Sequence, residues 1–229
     1  MSIRSDRSIR LNSMAVIAFV NQKGGCAKST TAVHFAYWLI HQRLIHPQKV
    51  VLVDADAQGS SSLWIESLED PILYEVAQTS ELLLEKLPAL NQQCEQVIVD
   101  GPAGLSDATK SIIACADLAI IPCQPTGVDL RSAHDAVRLI QQAQIARRDA
   151  PKAAIFLSRA VKGTRLKDEA IAQLSKMGVP ILNTVIHQRQ AIADTFGQEA
   201  TVWDLLGKAA VEAAEELDQL FQEILAIVP

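Results

Sequence analysis

Aromatic residues make up only 4% of the 229 positions, so a core has to be assembled from Ala, Val, Ile and Leu. The four cysteines, Cys26, Cys94, Cys115 and Cys123, are scattered with no C-x-x-C pair. That spacing excludes a zinc knuckle or a disulfide framework and suits a reducing cytosol. The five histidines show no ligand spacing either. No apolar run approaches the ~20 residues that span a bilayer. The N-terminus carries arginines without the apolar stretch of a signal peptide. Basic charge is in deficit: the net charge is −5 and the isoelectric point about 5.5. A chain that binds nucleic acid over its whole surface is therefore not expected.

What is present is a hydrophobic content of 49%, ample for one core at this length. It is divided into short continuous apolar runs: Ala15–Val20, Val50–Val53, Val97–Val99, Leu118–Ile121, Ala154–Leu157 and Val179–Val185. Between them lie helical patterns at Ser29–Gln42, Ser80–Leu90, Leu105–Cys115, Asp129–Arg147, Leu166–Met177 and Gly207–Ile227. Strands that are apolar on both faces and alternate with helices predict an α/β fold. Its sheet should be mostly parallel and twisted, with helices on both faces. Residues 1–13 are polar and aperiodic and are expected to form a flexible tail. No repeat or linker divides residues 14–229, so one domain is expected.

In such a sheet ligands bind beyond the carboxyl ends of strands. Three motifs stand there. After the first apolar run comes Asn-Gln-Lys-Gly-Gly-Cys-Ala-Lys-Ser-Thr, residues 21–30, opening a helix. A small-residue loop ending in Lys-Ser/Thr holds polyphosphate with backbone amides and the helix dipole. Lys28 supplies a point charge to the phosphates and Ser29 a hydroxyl for Mg²⁺, with Thr30 beside it. The usual framing glycines are missing: Gln22 and Ala27 stand in their places, and a second lysine, Lys23, precedes Gly24 and Gly25. After the second run comes Asp54-Ala55-Asp56. We assign Asp56 to the attacking water and Asp54 to the Mg²⁺ shell and the loop lysine. The third run ends in Asp100-Gly101-Pro102, a Walker B arrangement in which the carboxylate meets Mg²⁺, usually through water.

Together with ADLAIIPCQPTGVD further on, these stretches resemble the ParA/MinD family of deviant-Walker P-loop ATPases. They look most like its small, ParF-like plasmid-partition members. The likeness runs from about Ala15 to Leu205. It implies ATP and Mg²⁺ as cofactors, with residues 23–30 (Lys23, Gly24, Gly25, Cys26, Ala27, Lys28, Ser29, Thr30) binding nucleotide. It also implies that Lys23 crosses a dimer interface to the partner's phosphates, which makes Lys23, Lys28 and Asp56 the catalytic set. Ala27 departs from the family pattern and is compatible with the loop only at negative φ. Cys26 sits in an electropositive loop that would favour a thiolate, although a small buried thiol is the commoner case. Asp129, before a long helix, reads as its N-cap. Ser158 and Arg159 are candidates to approach the adenine.

Charge is unevenly spread. Residues 147–189 sum to +6 and residues 191–229 to −7. Arg159, Lys162, Arg165, Lys167 and Arg189 are thus candidate DNA contacts, phosphate-directed and without sequence readout. The acidic C-terminal helix does not suit anionic lipid, so no membrane partner is expected. The resemblance implies a cytoplasmic, nucleoid-associated ATP hydrolase that partitions plasmid DNA. It would act as an ATP-dependent homodimer stimulated by a ParB-like or other centromere-binding adaptor. The alternative is the same engine positioning a protein cargo, such as carboxysomes or chemotaxis clusters.

Overall fold

The computed structural model describes residues 14–41, 45–70 and 72–229. Seven parallel strands form one sheet: β1 (Ala15–Asn21), β2 (Val50–Asp54), β3 (Leu73–Val76), β4 (Gln96–Ala103), β5 (Leu118–Cys123), β6 (Lys152–Ala160) and β7 (Ile181–His187). Their spatial order is β3-β2-β4-β1-β5-β6-β7. From β1 the chain passes out to β2 and β3, returns to insert β4 beside β1, and then adds β5 to β7 on the other side, so the carboxyl end of β1 lies where the winding reverses. That position is the usual ligand crevice.

The helices are α1 (Lys28–His41), α2 (Ser60–Ser67), α3 (Ser80–Asn91), α4 (Asp107–Cys115), α5 (Gly127–Arg147), α6 (Leu166–Leu174), α7 (Gln190–Ala193) and α8 (Lys208–Ile227). Alternation along β1 divides the core in two. Ile17 and Phe19 pack with α1, α2 and α8, and Val16, Ala18 and Val20 pack with α3 to α6. Every residue of β1 is buried, which is why its sequence is apolar without alternation as far as Val20. The expected helices and strands are all present, most with ends moved by one or two residues; β4 runs four residues and β6 three residues further than expected, and α6 stops three residues sooner. Gln42, at the end of the first helix expected, lies outside the described residues, as does the proposed tail 1–13.

Helix α8 lays Ala213, Leu217, Leu220, Phe221 and Ile224 on the sheet. Its acids close the β7 edge: Glu223 accepts the Asn183 and Thr184 amides, and Glu216 accepts the His187 amide at 2.9 Å. An edge strand left open would be a template for pairing with another chain. Among the described residues no helix is long and apolar enough to cross a membrane.

Candidate functional site

The carboxyl ends of β1, β2, β4 and β6 surround a cavity of about 530 Å³. Gly24, Ala27, Lys28, Ser29, Asp56 and Arg159 are among the residues lining it. The loop between β1 and α1 therefore meets Asp56, from the acidic motif after β2, at one cavity. Lys28 is buried, and its Nζ donates to the Lys23 carbonyl at 3.1 Å. Thr31 Oγ1 donates to the Ala27 carbonyl at 2.6 Å, closing the first turn of α1.

Asp100 is fully buried, and neither carboxylate oxygen has a hydrogen-bond partner. Burial pushes its pKa up to about 7. The hydroxyls of Ser29 and Ser61, and the Lys28 charge, work the other way, while Asp54 adds like-charge repulsion. A carboxylate buried in this way is costly while charged, so it either takes a proton or is joined by a cation. The donor set of Asp100 and Ser29, hard oxygens beside a phosphate loop, fits Mg²⁺. Ser61 was not singled out by sequence, and a serine run gave little reason to do so.

Asp54 is held by backbone amides. Its Oδ2 accepts the Ser62 amide at 2.9 Å and its Oδ1 the Asp56 amide at 3.1 Å. The carboxylate is committed to the start of α2, where Gly59 at φ 64° offers no side-chain cap. Asp56 is half-buried at the cavity, accepting the Gln58 amide at 3.0 Å. It lines the cavity together with Lys28 and Ser29.

Two expectations are corrected by geometry, and the common reading of a third residue, Cys26, holds. Ala27 has φ 78°, not the negative value that Ala prefers. The N-cap of α5 is Thr126, whose hydroxyl accepts the Asp129 amide at 3.3 Å. Asp129 lies inside the first turn, fully buried, and accepts Lys23 Nζ at 2.9 Å on Oδ2. Cys26 is buried as well, and burial outweighs the nearby Lys28 and pushes its thiol up. Cys123 behind it is pushed to about 12. Neither is an activated thiolate.

The basic candidates separate. Arg189 is drawn into ion pairs with Glu212 and Glu216, both at 2.6 Å, leaving its side chain only 12% exposed. Arg159 is exposed but spends its guanidinium on the Gly25 carbonyl at 3.0 Å. Both belong to the walls of the cavity. Lys162 and Arg165 remain exposed on the connection from β6 into α6, and Lys167 stands half-buried in the first turn of α6.

Residues 17–202 match the family model described as the CobQ/CobB/MinD/ParA nucleotide binding domain. The chain is 32% identical over 216 residues to the maintenance of carboxysome distribution protein A of Gloeobacter kilaueensis, covering 89% of this chain and 94% of that one. It is 28% identical over 217 residues to Protein ParA of Rhizobium radiobacter, covering 88% and 93%. The fold superposes with a TM-score of 0.73 and 19% identity on septum site-determining protein MinD of Pyrococcus horikoshii, solved with Mg-ADP, covering 92% of this chain and 95% of that one.

Proposed function

The chain belongs to the CobQ/CobB/MinD/ParA nucleotide-binding family as a ParA/MinD-type P-loop ATPase with ATP and Mg²⁺ as cofactors, and from that premise we propose that it hydrolyses ATP to drive a dimerisation cycle that positions cargo over DNA. The single observation that best supports hydrolysis is the meeting of Lys28 and Asp56 at one cavity, with the unpartnered Asp100 buried beside Ser29. In this reading Ser29 and Asp100 hold Mg²⁺, which supplies neutralisation of phosphate charge. The loop amides and Lys28 bind the β/γ-phosphates. Asp56 orients a water for attack on the γ-phosphorus. Lys23 leaves Asp129 and reaches the phosphates of a second copy, so that nucleotide joins two subunits.

Cargo is the finer question. The sequence points first to plasmid DNA, and the 28% identity to a ParA protein keeps that reading open. The 32% identity to a carboxysome distribution protein favours a protein assembly, and we place it first. In either case the adaptor supplies stimulation, the ATP-bound dimer rests on the nucleoid, and Lys162, Arg165 and Lys167 touch DNA phosphates.

The test is phosphate release from MgATP, alongside light scattering with ADP and with ATP. Wild type is expected to dimerise only with ATP and to turn over slowly. Asp56→Ala is expected to dimerise with ATP yet lose at least tenfold in release. Lys23→Ala is expected to lose both. Dimerisation by Lys23→Ala as strong as that of wild type would remove the cross-subunit role.

A further inference from the structure

The position where the phosphate loop lacks its usual glycine holds the backbone that glycine tolerates best. Ala27 sits at φ 78°. A Cβ in this region crowds the neighbouring carbonyl, so the loop is biased toward a flipped peptide with negative φ at residue 27. Arg159, beside it, is also left-handed at φ 51°. Paired strain of this kind persists only where surrounding contacts over-determine it.

Those contacts come from the ends of β5 and β6. Ser158 Oγ donates to the Cys26 carbonyl at 2.9 Å. Gln124 Nε2 and Arg159 Nη1 both donate to the Gly25 carbonyl, at 2.9 and 3.0 Å. In a trans peptide the carbonyl and the following N–H point in opposite directions. Holding the Gly25 and Cys26 carbonyls toward β5 and β6 therefore turns the amides of Cys26 and Ala27 the other way. Ala27 lines the cavity together with Gly24, Lys28 and Ser29. A flip of the Cys26–Ala27 peptide would relieve Ala27 and withdraw one amide from the anion.

We infer that Ser158, supported by Arg159 and Gln124, is a positioning residue that pins the Cys26–Ala27 peptide against this flip. It does from outside the loop what glycine would do within it. Ser158 is fully buried, so no water replaces its hydroxyl when it is removed. The inference rests on reading the loop as a phosphate cradle.

The experiment titrates MgADP into wild type, Ser158→Ala, Ala27→Gly and the double variant, with thermal melts of each in the absence of nucleotide. Ser158→Ala should bind MgADP at least tenfold more weakly, and Ala27→Gly as tightly as wild type or tighter. The double variant should come within threefold of Ala27→Gly alone, because glycine no longer favours the flip. Affinity of Ser158→Ala within twofold of wild type overturns the inference. So does an equal loss in the wild-type and Ala27→Gly backgrounds, which a packing role would give. Should Ser158→Ala fail to melt cooperatively, Ser158→Cys, which fills the site with a weaker donor, carries the same comparison. A threefold loss confined to the wild-type background supports the brace, and equal losses in both overturn it. Failure of wild type itself to bind MgADP would instead defeat the cradle reading, and the inference with it.

Discussion

Lys23 and Asp129 are 106 positions apart and meet at 2.9 Å. The pair is asymmetric: the Asp129 side chain is wholly buried, while 38% of the Lys23 side chain is exposed. A buried carboxylate with one oxygen unpartnered holds its lysine more firmly than a surface pair would. If Lys23 serves a second subunit, this bond must break first, and Asp129 sets the threshold for dimerisation. Asp129→Asn keeps the shape and the contact with Thr126 but removes the charge. We expect the ATP concentration for half-maximal dimer, read by light scattering, to fall about fivefold, the equivalent of about 1 kcal/mol. A rise would mean that Asp129 aims Lys23 rather than restrains it. Gly101 makes a second case at this scale. A Cβ there would lie 2.7 Å from the Phe19 carbonyl, where β4 bulges against β1 just beyond Asp100. Gly101→Ala should cost roughly 1–3 kcal/mol in denaturant unfolding and displace the Asp100 carboxylate, weakening Mg²⁺-dependent nucleotide binding beyond the loss in stability.

Helix α1 carries the phosphate loop at one end and is tied to the C-terminal segment by His34. The imidazole Nδ1 donates to the Thr30 carbonyl at 2.7 Å, and Nε2 accepts the Val202 amide at 3.2 Å. That assigns the neutral Nδ1–H tautomer. Trp64 closes the site edge-on, with ring centroids 5.2 Å apart. Burial pushes the His34 pKa down to about 4 from 6.5. The unfolded chain therefore binds an extra proton between those values, so stability is complete above about pH 6.5 and is lost as pH falls toward 4. The loss reaches about 3 kcal/mol at pH 4. In His34→Gln the slope of unfolding free energy against pH should shrink by about one proton over that window, and an unchanged slope would rule the assignment out. None of this pairing is legible in the sequence, because His34 and Val202 are joined only by the sheet. The elements that are legible are those with long, consistent patterns, β1, α5 and α8 among them. Strand β3 escapes a sequence reading because Leu73–Val76 is short, lies at the sheet edge and has no residue buried. Helix α2 escapes it because Ser60-Ser61-Ser62 reads as a loop until Asp54 is seen to cap it. The chemistry-bearing motifs are legible because they stand at strand ends. Their partners, Asp129 for Lys23 and Ser158 for Cys26, come from distant parts of the chain.

On the scale of the whole molecule the charges are sorted, and the sorting decides which basic residues are free. The acidic helix α8 takes up Arg189 through Glu212 and Glu216 and reaches toward Lys162, whose Nζ lies 3.7 Å from Glu212. What remains at the surface is a short basic ridge at the carboxyl edge of the sheet: Lys162, still 62% exposed beside Glu212, the exposed Arg165, and Lys167, half-buried and 3.9 Å from Asp168. Set against a net charge of −5, three cations per subunit make a poor site for DNA in a monomer and a better one when doubled. Contacts of this kind obey counterion release, in which each phosphate contact contributes about 0.9 to the slope of log affinity against log salt. Six contacts in a dimer would therefore contribute about 5. With ATP present, replacing Lys162, Arg165 and Lys167 by Ala should lower the salt slope by about that amount on duplex DNA of any sequence, while ATP-dependent dimerisation persists. Replacing Arg189 should leave the slope unchanged and instead lower the melting temperature, because Glu212 and Glu216 lose the cation they share. An unchanged slope in the triple variant would move the DNA surface elsewhere, and the same loss with ADP would detach it from the nucleotide cycle.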